Sequence, residues 1–90
     1  MYAVLICRDK PDSLALRKAT RDEHLAYLAE TGVVEIAGPL LDDDGNPAGS
    51  LLIIRVETLD EARGWADRDP YAKAGLFESV KIQQWNKVIV

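Results

Sequence analysis

The chain has 90 residues, of which 48% are hydrophobic and 29% charged, and its formal net charge is −4. This size and composition predict one small globular domain, residues 1–90. The acidic balance and the lack of a basic stripe argue against a nucleic-acid partner. No apolar run approaches the roughly 20 residues that cross a bilayer, so we expect no membrane partner. With a single cysteine and no recognisable signal peptide, a cytoplasmic location is expected.

The first part of the chain predicts a strand, a long helix and a second strand. Tyr2–Cys7 is apolar on both alternating faces, which is typical of a central strand that is covered on both sides. Leu14–Thr31 is rich in Ala, Leu, Arg and Glu and predicts a helix, for which Gly32 is a natural end. Val33–Leu41 predicts the second strand.

The second part predicts a hairpin, a second helix and a last strand. The turn-rich loop Asp42–Gly49 joins the second strand to a third at Leu51–Glu57. Thr58–Glu61 is a capping box that opens a helix through about Ala66. A short irregular or helical stretch follows, and Phe77–Ile89 predicts a long last strand.

This order of elements predicts an α+β, ferredoxin-like βαββαβ fold. Right-handed crossovers give a four-stranded antiparallel sheet with both helices on one face. The other face has no cover from within the chain, yet its strands carry apolar side chains. Because such a patch is unusual on a monomer, we expect a homodimer in which two sheets pack face to face.

Two polar residues far apart in the sequence are candidates for catalysis. Histidine is the side chain that changes charge near neutral pH, and His24 is the only one present. Asp69 precedes Pro70, which pushes its backbone away from helical geometry. A histidine and a carboxylate can act as a general acid/base pair, so His24 and Asp69 would form a catalytic dyad if the fold brings them together. The structural alternatives are a surface histidine without a task and an aspartate that only caps a turn.

The helical wheel of Leu14–Thr31 places His24 at the edge of an apolar stripe. The residues of this stripe are Leu14, Arg21, Leu25 and Leu28. Arg17 lies close to His24 around the helix axis. We therefore expect a half-buried His24 at the rim of a pocket, with Arg17 and Arg21 beside it.

No segment predicts a metal or cofactor site. The acidic loop Asp42–Asn46 lacks the glutamate that ends a calcium loop, so it predicts a solvated hairpin. One cysteine and one histidine are too few for a zinc site. The chain has no phosphate loop and no dinucleotide fingerprint, and we expect no cofactor.

Several short segments together resemble the YciI-like (YCII-related) family over almost the whole chain. In chain order they are His24-x-x-Tyr27-Leu28, Gly32, Ala37-Gly38-Pro39-Leu40, Asp44-Gly45, Gly49-Ser50, Asp69-Pro70-Tyr71 and Trp85. The resemblance implies a dimeric α+β barrel built from ferredoxin-like subunits. It also implies an active site made by a His and an Asp, here His24 and Asp69. The Gly-Pro and Gly-Ser segments are implied to lie near the cleft.

The resulting prediction is a small enzyme that uses the dyad for elimination or hydrolysis on a small polar or aromatic compound. The family that the chain resembles includes a dehydrochlorinase of a chlorinated hydroxyhydroquinone, which is chemistry of this kind. An arginine of the first helix would hold an anionic group of the substrate. The predicted substrate-binding residues are Arg17, Arg21, Gly38, Pro39, Ser50, Pro70 and Tyr71.

Two other functions fit the same pattern. The first is a non-catalytic module that binds a small molecule in the cleft and shows saturable binding without turnover. The second is a monooxygenase of the dimeric α+β barrel type. If such an enzyme used haem, His24 would be its axial ligand and the purified protein would be coloured.

Overall fold

The computed structural model describes all of residues 1–90. The chain forms four strands, two longer helices and one single-turn helix. In order they are β1 (Tyr2–Asp9), α1 (Leu14–Thr31), β2 (Val34–Leu41), β3 (Pro47–Arg55), α2 (Leu59–Asp67), α3 (Pro70–Lys73) and β4 (Phe77–Trp85).

The four strands form one antiparallel sheet in the order β2-β3-β1-β4. The predicted ferredoxin-like fold is thereby confirmed, and β1 is a central strand as its apolar sequence indicates. One face of the sheet packs on the helices. The core on this face combines the strand residues Ala3, Leu5, Cys7, Leu52, Ile54 and Val56 with the α2 residues Ala62, Trp65 and Ala66.

The bounds of three strands differ from the prediction by more than one residue. β4 ends at Trp85 rather than Ile89, because its partner strand begins at Tyr2 and offers no backbone beyond that pair. β3 begins at Pro47 and ends at Arg55, so the predicted loop contributes its last residues to the hairpin. β1 continues to Asp9, which carries a carboxylate to the end of a central strand.

Helix α1 has the predicted bounds, but its buried face is not the predicted apolar stripe. The buried residues are Arg17, Thr20 and His24, whereas Leu25 is 42% exposed. The prediction of a half-buried His24 was therefore wrong, since only 6% of this residue is exposed. Polar side chains can occupy this face because each one has a hydrogen-bond partner there. Thr20, for example, donates its hydroxyl to the Leu16 carbonyl at 2.8 Å.

The second helical region follows the predicted pattern. The Thr58 hydroxyl accepts the Glu61 N–H at 3.1 Å, and the Glu61 carboxylate accepts the Glu57 N–H at 3.1 Å. These two bonds satisfy backbone N–H groups at the start of α2 that have no carbonyl partner within the helix, as in a capping box. The stretch between α2 and β4 contains α3, a helix of one turn. This turn places Asp69 and Tyr71 opposite α1.

The second face of the sheet is free of helices. Residues directly opposite each other on antiparallel strands share a face, so the register assigns the side chains to this open face. Its apolar members are Tyr2, Val4, Ile6, Ile36, Leu40, Leu51, Ile53 and Trp85. None of the helices is long and apolar enough to cross a membrane.

The β2–β3 hairpin depends on a glycine next to the central strand. A Cβ at Gly49 would overlap the carbonyl oxygen of Cys7, whereas nothing lies within 4 Å of a Cβ at Gly38. We expect Gly49→Ala to lower the free energy of unfolding by about 1–3 kcal/mol, because the obstacle is backbone that cannot rotate away. The control Gly38→Ala should change it by less than about 1 kcal/mol. Urea unfolding followed by circular dichroism measures both values, and equal stabilities would contradict the close approach.

Candidate active site

Asp69 lies at the start of α3, where Pro70 occupies the first helical position. Its φ of −59° and ψ of 129° are extended, as expected for a residue before proline. Its Oδ1 accepts the Tyr71 N–H at 2.9 Å and so caps the helix. The structural reading of Asp69 as a cap is therefore correct, but the same oxygen has a second partner.

The second partner of Asp69 is His24. The distance from His24 Nδ1 to Asp69 Oδ1 is 2.7 Å, and the two side chains are only 8% and 3% exposed. Because an ionised carboxylate can only accept, Nδ1 carries the hydrogen of this bond. The structure thus brings together the two side chains of the predicted dyad, 45 residues apart in the sequence.

The other ring nitrogen of His24 is directed to the cleft beside α1. Nε2 makes no hydrogen bond within the protein. Every side-chain nitrogen or oxygen that is fully buried in this structure has a hydrogen-bond partner, so Nε2 is not fully buried. Nε2 is therefore accessible to solvent, and His24 is one of the residues that line the cleft. With Nδ1–H held by the carboxylate, Nε2 of the neutral ring presents a lone pair to any ligand in the cleft.

The Tyr71 ring lies between His24 and Arg17. The Tyr71 and His24 rings are stacked with centroids 3.9 Å apart and planes inclined by 16°, and the Arg17 Cζ is 4.6 Å from the Tyr71 centroid. Two such partners fit only on opposite faces of one ring, so the stack fixes all three side chains.

Burial raises the pKa of the Tyr71 hydroxyl, although Arg17 and Arg21 counteract this effect. Tyr71 is therefore a neutral donor near neutral pH.

Arg17 is held by a carboxylate at the end of β1. Its Nε and Nη2 donate to Asp9 at 2.7 and 3.1 Å, and Nη2 also donates to the Ser50 hydroxyl at 2.8 Å. Burial alone would lower the pKa of the guanidinium, but the hydrogen bonds and the charge of Asp9 outweigh this effect and raise it. Arg17 is thus a fixed cation, which suits recognition of an anion.

The cleft beside these residues has a volume of about 350 Å³, which is within the usual range for a small-molecule site. Helix α1, strands β2 and β3 and the ring of Tyr71 form its walls. The lining residues are Arg17, Lys18, Arg21, His24, Leu25, Leu28, Ala37, Gly38, Pro39, Pro47, Ser50, Leu52 and Tyr71. Polar groups lie on one side of apolar walls, an arrangement typical of sites for small aromatic or partly polar ligands.

The charge of the cleft is opposite to that of the whole chain. Arg17, Lys18 and Arg21 line it and no carboxylate does, although the chain has a net charge of −4. A cleft of one sign with low-dielectric walls concentrates ions of the other sign. The arrangement therefore favours an anionic ligand.

Most of the residues predicted from the sequence line this cleft. Arg21 is exposed at its mouth, Gly38 and Pro39 contribute from β2, and Ser50 and Tyr71 form its buried end. Pro70 does not line the cleft and lies at the first position of α3.

Sequence reasoning missed Asp9 and Lys18. Asp9 is joined to the site only through Arg17, and nothing in its local sequence distinguishes it from other strand-end carboxylates. Lys18 lies one position after Arg17 on α1, where the helical wheel placed no site residue.

The acidic loop Asp42–Asn46 and the single cysteine have structural roles. The acidic loop is a tight turn, in which Asp42 Oδ1 accepts the N–H groups of Asp44 and Asn46, both at 2.9 Å. No group of three or more His, Cys, Asp or Glu side chains could hold a metal ion.

Burial raises the pKa of the Cys7 thiol to about 12, with a contribution from the charge of Asp69. Cys7 is therefore protonated at neutral pH and poorly nucleophilic.

Comparison with known proteins identifies the family. A sequence profile of the YCII-related domain matches residues 1–86. The chain is 38% identical to protein YciI of Escherichia coli, with 98% of this chain and 99% of that protein covered. It is 36% identical to a protein of Haemophilus influenzae over the same shares of the two chains. The chain belongs to the YCII-related family, which confirms the resemblance found in the sequence.

Two solved structures place the fold among known ones. 5-Chloro-2-hydroxyhydroquinone dehydrochlorinase (TftG) from Burkholderia phenoliruptrix, in complex with 2,5-dihydroxybenzoquinone, has a TM-score of 0.87 and 34% identity, with 96% of this chain and 94% of that chain covered. An antibiotic biosynthesis monooxygenase has a TM-score of 0.60 and 9% identity, with 99% of this chain and 100% of that chain covered. At 9% identity, the second similarity shows only that the two proteins share a fold.

The His24–Asp69 bond predicts the tautomer of the neutral imidazole. We expect the hydrogen on Nδ1, because the carboxylate only accepts. In Asp69→Asn this preference should weaken, since an amide offers both a donor and an acceptor. Nitrogen NMR of the single histidine measures the tautomer without assignment. The control is Asp67→Asn, a change at an exposed position two residues away. A neutral wild-type imidazole with its hydrogen on Nε2 would contradict the bond.

Proposed function

We propose that this member of the YCII-related family is an acid/base enzyme that acts on a small hydroxylated, anionic aromatic compound. The observation that carries the proposal is the 2.7 Å bond between His24 Nδ1 and Asp69, which leaves Nε2 open to the cleft. A base oriented by a buried carboxylate in a cleft is the arrangement that proton transfer needs.

In the proposed mechanism, Nε2 of His24 takes a proton from the substrate. Asp69 remains ionised and stabilises the imidazolium through the Nδ1–H bond. For an elimination from a hydroxylated ring, the substrate reacts as its keto tautomer, in which the carbon that bears the leaving group is saturated. The electron pair of a remaining O–H bond then forms a C=O bond, the adjacent ring double bond shifts toward that carbon, and the leaving group departs with its own bonding pair. The imidazolium then returns its proton to solvent or to product. Tyr71 keeps the imidazole in place by stacking on its ring.

Two observations support the substrate class. The dehydrochlorinase of 34% identity acts, by its name, on a chlorinated hydroxyhydroquinone, and it was solved with a dihydroxybenzoquinone. The cleft of this chain has apolar walls that suit a ring, and cations without carboxylates that suit an ionised hydroxyl group. We propose that Arg21, with Lys18, attracts such an anion at the mouth and that Arg17 holds it inside.

Chloride release from 5-chloro-2-hydroxyhydroquinone tests the catalytic proposal. We expect His24→Ala and Asp69→Asn to lower kcat by at least about 100-fold, because the first removes the base and the second its orienting partner. The control Asp67→Asn should keep the wild-type rate, and a chloride electrode measures all four proteins. Saturable binding without chloride release in the wild type would contradict catalysis on this substrate and favour the binding module.

We further propose that the protein is a homodimer formed by the open faces of two sheets. Eight apolar side chains lie on that face without helices to cover them, and the chain has only a thin core of its own. Oligomerisation is a common way for a domain of this size to bury further apolar area.

The mass of the particle in solution tests the dimer. We expect light scattering to give twice the chain mass of 10.0 kDa. Val4→Glu should give the single-chain mass, because it places a charge in the centre of the interface. The control Val80→Glu adds the same charge on the helix side of the edge strand, where Val80 is 40% exposed. A wild type of single-chain mass at micromolar concentration would contradict the proposal, and circular dichroism verifies that both variants are folded.

The cytoplasm remains the proposed location. Cys7 is a free and buried thiol, without a partner for a disulfide. Free thiols are stable in a reducing compartment, which supports this location.

A further inference from the structure

Ser50 has a hydroxyl hydrogen that no protein group accepts. Its Oγ accepts the Nη2–H of Arg17 at 2.8 Å, and the hydroxyl donates to no carbonyl or carboxylate. Ser50 is only 4% exposed, and it lines the cleft that also contains His24. Because the cation occupies one lone pair of this hydroxyl and no protein group accepts its hydrogen, the hydrogen is free to bind an acceptor on a ligand.

The same end of the cleft holds a second free donor. The Nε–H and both Nη2–H groups of Arg17 are used by Asp9 and Ser50, so the two hydrogens of Nη1 have no protein partner. No buried nitrogen lacks a hydrogen bond, so Nη1 is accessible from the cleft. Asp9 binds the guanidinium through two oxygens and fixes its plane, which sets the directions of the remaining hydrogens.

We propose that Ser50 and Arg17 Nη1 form an oxyanion-binding site in the cleft that contains His24, and that Asp9 positions it. This inference rests on the proposed function and extends it to the negative charge that proton transfer leaves on the substrate. The site selects ligands in which loss of a proton to His24 leaves negative charge on an oxygen, such as phenols and enolisable carbonyl compounds.

The step is balanced in protons and electrons. Nε2 of His24 gains the proton, and the electron pair that remains on the ligand moves to its oxygen, directly from O–H or through a neighbouring C=O from C–H. That oxygen accepts hydrogen bonds from Ser50 and from Arg17, which strengthen as its charge grows. Because the donors are fixed before the ligand arrives, their reorientation adds little to the barrier.

The test compares a phenolate with an uncharged analogue that lacks the phenolic oxygen. The probes are 4-nitrophenol, at a pH where it is ionised, and nitrobenzene, each titrated by calorimetry. We expect Ser50→Ala to weaken nitrophenolate binding by about tenfold, the typical effect of one hydrogen bond to a charged group. Nitrobenzene binding should change by less than about twofold, because the apolar walls are unaffected. Asp9 acts only by positioning Arg17, so Asp9→Asn should reduce the preference for nitrophenolate over nitrobenzene by a smaller factor.

The matched control is Ser79→Ala, an exposed serine on β4, which should bind both probes like the wild type. Wild-type binding of both probes by Ser50→Ala would overturn the inference. An equal loss of both would also overturn it, because Ser50 would then only shape the cleft.

His24→Ala separates this inference from the proposed function. We expect it to keep the preference for nitrophenolate while it loses chloride release. If chloride release depends on His24 but the preference does not depend on Ser50, the oxyanion site is wrong and the acid/base function remains. If Ser50 carries the preference but no turnover depends on His24, the function is wrong and the anion site remains.

Discussion

The Asp69 carboxylate is the group on which both the local fold and the site depend. Its Oδ1 caps α3 through the Tyr71 N–H and orients the imidazole through His24 Nδ1. A buried carboxylate without partners would cost several kcal/mol, so these two bonds are a condition for its burial. Because α3 has only one turn, its cap fixes the place of Tyr71, which in turn stacks on the ring that Asp69 holds. The geometry of the base is thus coupled to the start of a helix.

The sheet-facing side of α1 shows what this arrangement costs in stability. Arg17, Thr20 and His24 occupy positions where an ordinary amphipathic helix buries leucines, and Leu25 lies partly exposed beside the cleft. Buried ion pairs contribute little net stability compared with apolar packing of the same volume. The apolar core is therefore concentrated under α2, around Trp65. Because one of its two long helices buries a polar site, the chain has little apolar core of its own. Burial of the open sheet face in a partner would add to the buried apolar area.

The sequence was sufficient for the fold because its signals are local. Gly32 adopts φ 65° at the end of α1, and Thr58 accepts the Glu61 N–H at the start of α2, as their residue types indicate. The face that α1 buries could not be predicted, because it is decided by Asp9, Ser50 and Asp69, each distant in the sequence. A helical wheel scores Arg17 as exposed unless its partners are known. The end of β4 likewise depends on where its partner strand begins.

The positions of Asp9 and Asp69 explain how an acidic chain presents a cationic cleft. Each carboxylate lies behind the group that it holds, so that Asp9 orients Arg17 and Asp69 orients His24, and neither lines the cleft. The surface offered to a ligand then consists of donors and one lone pair, with the balancing negative charge a few ångströms deeper. If a proton moves to His24, the imidazolium gains a neighbouring anion while the ligand oxygen faces only donors. Charge separation across the cleft is stabilised at both ends, which is the property that an acid/base site requires.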